Sequence, residues 1–386
     1  MRSIKWGKGT GEGSSPTRVL TYSEDEGKSH GASMKTSSTG TVTPNAPLVA
    51  VALGDPAGIG PELVAKLLSD ERVNAAGRPL LIGDEWLWEQ GQQVAGISVP
   101  TRQISTVDQA RSEATHGVPL FLAVDSVLRE SVRRGQVGAA GGASVVKVLR
   151  VCLDAVVAGH VDAICFAPLN KLAMKKAGLA FEDELHFFAD HLGVKSYVCE
   201  FNTLGTLWTS RISSHIPFRQ IPELITKERI IEAAMLTKRS LVRAGFLTPR
   251  IAMAALNPHA GEGGTCGREE IDLMIPAIHE LETKGLSVLG PLPADTIFLR
   301  ARAGEFDAVI TMYHDQGQIA IKLMGFDRGV TVHGGLPVAI TTPAHGTAFD
   351  IVGQNKANPE ASVQAFLIAA QMGVHDRMQT GRGQPE

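Results

Sequence analysis

Apolar residues fall along this chain in two rhythms. Short unbroken runs, such as Leu48-Val49-Ala50-Val51-Ala52-Leu53, read as strands buried on both faces. Similar runs predict strands at 79–83, 162–167, 196–201, 206–210, 250–256, 307–312 and 337–342. Between several of them the spacing becomes helical, notably over 142–158, 227–244, 267–283 and 359–372. Pro61-Glu62 opens another helix through Leu63, Leu67 and Leu68, with proline near the first turn, where its missing N–H is harmless. Strands alternating with helices imply an α/β fold, a mostly parallel sheet covered by helices on its faces. No internal repeat is visible.

Residues 1–46 break both rhythms. They are rich in Gly, Ser, Thr, Lys and Glu, so the expectation there is a disordered N-terminal extension. Its acidic run Ser23-Glu24-Asp25-Glu26 argues against a mitochondrial presequence, and Met34 offers a second start shortly before the first strand. At 386 residues the chain can build two lobes around a sizeable core. A net charge of -3 gives no reason to expect a nucleic-acid or anionic-membrane partner. No run approaches a membrane span and no apolar signal core opens the chain, so the expected place is the cytoplasm. Cys152, Cys165, Cys199 and Cys266 include no C-x-x-C pair, and they read as thiols of a reducing compartment.

Three constellations carry chemistry. The first is Gly54-Asp55-Pro56-Ala57-Gly58-Ile59-Gly60-Pro61-Glu62, a strand, a glycine-rich turn and a helix start. It is not G-x-G-x-x-G, and taken alone a ligand-free turn fits it as well as a binding loop. The second is a set of histidines at strand ends: His215, His259 in Asn257-Pro258-His259-Ala260-Gly261-Glu262, and His314 in Tyr313-His314-Asp315-Gln316-Gly317. Carboxyl ends of strands are where open α/β sheets place sites, and neutral imidazoles suit Zn²⁺ or a similar ion. An isolated histidine is more often structural. His259 and His314 stand above that background because Gly, Pro, Asn and acids surround them. The third is His345-Gly346-Thr347-Ala348-Phe349-Asp350, continuing to Asn358-Pro359. A turn opening a helix offers N–H groups to a nucleotide. Asp350 can accept both ribose hydroxyls and repel a 2′-phosphate, which favours NAD over NADP, although a capped helix alone accounts for the same residues.

From His345 to Pro359 the chain is similar to the adenosine-binding loop of isopropylmalate and isocitrate dehydrogenases. The stretch from Leu48 to about Met372 resembles more closely the 4-hydroxythreonine-4-phosphate dehydrogenase family of vitamin B6 synthesis. Its hallmark runs stand here as Gly54 to Glu62, Leu256 to Gly264, Gly290-Pro291-Leu292-Pro293-Ala294-Asp295-Thr296, Met312 to Gly317 and His345 to Ala348. The resemblance implies a two-lobed, three-layer fold, with residues 47–165 and 330–386 binding NAD and 166–329 holding metal, substrate and dimer contacts. It implies one divalent ion (Zn, Mg, Mn or Co) on His215, His259 and His314. It further implies a homodimer in which His314 reaches the partner's site, and His345, Gly346, Thr347, Ala348, Asp350 and Asn358 around the cofactor. Lys322 matches a substrate-contacting lysine. We assign it charge stabilisation or proton transfer, with Asp295 and Asp315 as candidate bases or as caps and anchors.

The resemblance breaks in the substrate pocket. A Gly-His-Thr-Glu segment of the family is replaced by Asp183-Glu184-Leu185-His186, a pocket asparagine by Thr331 and a pocket arginine by Ile340. A carboxylate in place of neutral donors repels phosphate, and isoleucine supplies no charged fork. Unless Lys171, His186 or His333 compensates, the parent substrate is expected to bind poorly. The reading is then an NAD- and metal-dependent dehydrogenase oxidising a secondary alcohol of a small acid, with decarboxylation. Its substrate would be a sugar acid or a carboxylated cis-dihydrodiol resting on Leu185 and Ile340. The alternatives are the B6-pathway dehydrogenase itself and a non-catalytic metal- or nucleotide-binding protein.

Overall fold

The computed structural model describes residues 46–115, 117–325 and 328–380, so the segment expected to be disordered lies, apart from its last residue, outside the described residues. Twelve strands form one sheet: β1 (Leu48–Ala52), β2 (Arg78–Gly83), β3 (Arg102–Ile104), β4 (Leu120–Ala123), β5 (Ala163–Phe166), β6 (Cys199–Leu204), β7 (Leu207–Arg211), β8 (Ile251–Ala254), β9 (Val288–Leu292), β10 (Ala308–Thr311), β11 (Val330–Gly334) and β12 (Ala339–Pro343). Their spatial order is β3-β4-β2-β1-β5-β12-β11-β6-β7-β10-β8-β9. Pairing is antiparallel at β12–β11, β11–β6 and β6–β7 and parallel elsewhere, an α/β architecture as expected.

Both faces of the central strands are covered, which is why their sequences read as continuous apolar runs. Along β1, Val49 and Val51 enter one core cluster and Leu48, Ala50 and Ala52 the other. The helix Glu360–Thr380 lies over one face, where fully buried Phe366 and the bond from Thr341 Oγ1 to Ala365 O (2.8 Å) fasten it to β12. The order of strands has one consequence for chemistry. β7, β10, β8 and β9 are neighbours running the same way, so the loops after them gather along one edge.

Candidate active site

His215 follows β7, His314 follows β10, His259 follows β8 and Asp295 follows β9. His215 and His314 meet within one chain, their ring centroids 5.5 Å apart. His215 sits at φ 41°, a left-handed conformation costly for a residue with a β-carbon. Its pKa is lowered by burial first, against the raising effect of Glu200 and with help from Lys171, Arg211 and His314. A neutral imidazole, the ligating form, is thereby favoured. His314 opens the helix His314–Met324, and its Nδ1 lies 2.7 Å from Asp315 Oδ1, a contact that orients the ring.

His259 stands apart from that pair, 71% exposed and 3.5 Å from Glu262. It belongs to a run from His259 to Gly263 with consecutively positive φ. The run is held by Asn257, whose N–H donates to Glu270 Oε1 at 2.7 Å and whose Nδ2 donates to Glu269 at 2.6 Å. Buried Glu270 starts the π-helical turn Glu270–Met274, a distortion frequent at functional sites. Among the described residues, the group able to bring metal-ligating atoms within 4.8 Å of one another is Glu182, Asp183 and His215; the three histidines do not form such a group. Asp183 uses Oδ1 to accept from the His186 N–H at 3.0 Å and to contact its Nδ1 at 2.7 Å. Asp183 Oδ2 faces His215 Nδ1 at 3.9 Å. Imidazoles with a carboxylate beside them are a donor set that fits a borderline divalent ion.

The segment Asp183-Glu184-Leu185-His186 continues into a partly buried polar network. Glu184 is paired with Lys171 at 3.4 Å, and Lys171 also lies 3.9 Å from Glu200. Burial works to lower the Lys171 pKa, but Glu184, Glu200 and Asp183 outweigh it and raise it. Arg211 spans the next strands: Nη2 donates to Glu200 at 2.6 Å, Nη1 to Asn202 at 2.7 Å and Nε to Ser214 at 3.0 Å. Asn202 donates to Thr331 Oγ1 at 3.1 Å and accepts from Gln318, one turn along the His314 helix. Charges therefore alternate here, and the Glu184 carboxylate faces a lysine. Leu185 and Ile340 do not line an opening; both are buried in the apolar core, where they present no platform to a ligand. Thr331 is half-buried beneath Asn202, while Lys322, Asp295 and Asp315 are exposed. Sequence reasoning passed over Asp183, Glu200, Asn202, Arg211 and Gln318. The signal was a charged residue in each of two largely buried strands, Glu200 in β6 and Arg211 at the end of β7.

The loop expected to hold the cofactor is built against the glycine-rich turn. Ile59 N–H donates to Thr347 O at 3.1 Å, and a β-carbon on Gly58 would stand 2.9 Å from Thr347 Cβ. Farther along, Glu62 Oε1 accepts from the Ala357 N–H at 2.9 Å, and Lys66 Nζ donates to Ala357 O at 2.8 Å. His345, Gly346, Thr347, Ala348 (φ 42°), Asp350 and Asn358 thus sit on one strap drawn over the N-terminus of the helix Gly60–Leu68. That helix start has no side-chain cap, and Asp350 is exposed beside it. A helix N-terminus under an acid-bearing strap is a donor set that fits a dinucleotide with an unphosphorylated ribose.

Residues 75–369 match the family model described as pyridoxal phosphate biosynthetic protein PdxA. The chain is 47% identical over 334 residues to a putative 4-hydroxythreonine-4-phosphate dehydrogenase 2 of Pseudomonas aeruginosa, covering 86% of this chain and 98% of that one. It is 36% identical over 326 residues to a D-threonate 4-phosphate dehydrogenase of Salmonella typhimurium, covering 84% and 98%. A solved 4-hydroxythreonine-4-phosphate dehydrogenase from Burkholderia phymatum superposes with a TM-score of 0.71 at 34% identity, covering 85% of this chain and 98% of that one.

Proposed function

The chain belongs to the PdxA family of dehydrogenases, oxidoreductases acting on CH–OH groups, and from that premise we propose an NAD- and divalent-metal-dependent enzyme whose substrate is a four-carbon hydroxy-acid 4-phosphate. One observation carries the substrate class: Glu184, which would repel phosphate if bare, faces Lys171 at 3.4 Å, while Leu185 and Ile340 lie in the core. A polar wall whose charge is compensated suits a phosphorylated hydroxy acid better than an apolar ring. The names of the two curated relatives above carry that same four-carbon 4-phosphate skeleton.

When bound, a divalent ion supplies Lewis-acid polarisation of the reacting oxygen, and NAD supplies the hydride acceptor. His215, His259 and His314 are the proposed metal ligands, with Asp183 beside His215. Asp315 fixes the ring of His314. Lys322, two turns along the helix from His314, neutralises charge that develops on the substrate, and Asp295 is a candidate base for the hydroxyl proton. Decarboxylation after oxidation is part of the proposal, because a ketone next to a carboxylated carbon loses CO₂ readily. Asp350 accepts the ribose hydroxyls. Residues 47–165 with 330–386 form the proposed nucleotide lobe and 166–329 the metal lobe. A homodimer is part of the proposal, since Ile319 and Leu323 lie 60% and 84% exposed on the helix of His314 and Lys322, although His314 meets His215 of its own chain rather than reaching a partner's site as expected. Among the described residues no helix is long and apolar enough to cross a membrane.

The test is a steady-state comparison of D-threonate 4-phosphate, 4-hydroxythreonine 4-phosphate, unphosphorylated sugar acids and a carboxylated cis-dihydrodiol. A four-carbon 4-phosphate should lead with kcat/KM of about 10⁴ M⁻¹s⁻¹ or more. A dihydrodiol that outruns both phosphates would overturn the assignment. Light scattering of the purified chain tests the dimer.

A further inference from the structure

Beyond the strap and the glycine-rich turn, a third segment reaches the cofactor site. Gly135 N–H donates to Ala57 O at 2.8 Å, inside the glycine-rich turn. A β-carbon on the same Gly135 would stand 3.2 Å from Phe349 O, next to Asp350. The turn at Arg134-Gly135 is therefore wedged between the two loops that the proposed cofactor needs. Its side chain is placed as closely. The Arg134 guanidinium lies against Gly353, where a β-carbon would meet Nη2 at 3.0 Å and Cζ at 3.2 Å. Gly353 itself has φ 76°, and Gln354 Nε2 donates to Asp350 O at 2.7 Å, so Asp350 and Gly353 belong to one tight turn. Arg134, Gly353, Gly58, Ile59 and Glu62 line a single shallow depression at the N-terminus of the helix Gly60–Leu68. Among the described residues the guanidinium has no hydrogen-bond or ion-pair partner.

We infer that Arg134 binds the adenylate half of the dinucleotide. One face of a planar guanidinium rests on the Gly353 backbone. Its opposite face and N–H edges remain available for a phosphate oxygen or an adenine ring, both of which suit a fixed cation. Asp350 assigns the ribose to this turn, and Arg134 reads the groups on either side of it. The inference rests on the NAD reading and sharpens it.

Calorimetric titration of the full chain with NAD, AMP and nicotinamide mononucleotide tests it, using wild type, Arg134→Ala, Arg134→Gln and Arg133→Ala. Both Arg134 variants should weaken NAD and AMP by about tenfold, with nicotinamide mononucleotide unchanged and Arg133→Ala like wild type. Unchanged NAD and AMP affinity in both variants overturns the inference while leaving the NAD reading standing. A loss confined to nicotinamide mononucleotide overturns the placement. A wild-type chain that binds neither NAD nor AMP overturns the cofactor reading, and this inference with it.

Discussion

The rings of His215 and His314 lie with centroids 5.5 Å apart and planes tilted by 47°, brought together because β7 and β10 are parallel neighbours that end on the same edge. His215→Ala and His314→Ala should each weaken binding of Zn²⁺ or Mn²⁺ by 100-fold or more, on the order seen when a metal loses its ligands or their support. His259→Ala should do the same. Equilibrium dialysis measures this, and the metal-free melting temperature of each variant should stay close to wild type. Metal affinity that survives His215→Ala contradicts the assignment.

Cofactor choice is predicted to reside in the strap. Asp350→Lys with Ile351→Tyr replaces an acid that repels a 2′-phosphate by a cation that attracts one. The ratio of kcat/KM for NAD over NADP should fall by at least about tenfold. An unchanged ratio removes Asp350 from the ribose.

His333 is fully buried between Phe166 and Phe188, with neither ring nitrogen hydrogen-bonded. Burial depresses its pKa, against the raising effects of Glu184, Glu200 and Asp183. The native state thus refuses a proton that the unfolded chain accepts. Its stability contribution is full above the ordinary histidine value and is lost as pH falls through it. His333→Phe should stabilise by roughly 1–3 kcal/mol at neutral pH and by more near pH ~5.5. Urea unfolding at both pH values checks this, and an equal or negative change at the lower pH contradicts it.

Arg211 is buried, Glu200 is largely so, and the two are 2.6 Å apart. Burial tends to raise the Glu200 pKa, but the fixed cations Arg211 and Lys171 lower it overall. Arg211→Met removes the close partner of that carboxylate, leaving Lys171 at 3.9 Å, and should cost roughly 3 kcal/mol, while adding Glu200→Gln should restore part of the loss. Additive losses in the double variant would show that the two side chains are not coupled.

Much of this architecture was legible because strands covered on both faces announce themselves. β2, β5, β7, β8, β10 and β12 lie within a residue or two of the predicted runs, and β6 starts three residues late. β3 was missed because two of its three residues are exposed on the sheet edge, and β9 because Gly290 and Pro291 interrupt it. β11 was missed because Thr331 and His333 break its apolar pattern, although the sheet buries His333 completely. The histidines and the strap were visible as loop residues rich in Gly, Pro and Asn. The polar network was not, since Arg211 meets Glu200 only through antiparallel pairing of β6 with β7, a register that no local pattern reports. Leu185 and Ile340 show the converse error of scale. Their positions matched a pocket, but their apolar side chains had a core within reach and were taken into it.

The most direct measurement is NAD reduction, followed by absorbance, with purified chain and D-threonate 4-phosphate or 4-hydroxythreonine 4-phosphate. It is run after chelation and again after Zn²⁺, Mg²⁺, Mn²⁺ or Co²⁺ is restored. The account predicts turnover on at least one phosphate with NAD, its abolition by the chelator and its recovery with one of the ions. Turnover that ignores the chelator, or none on either phosphate with every ion supplied, would contradict it.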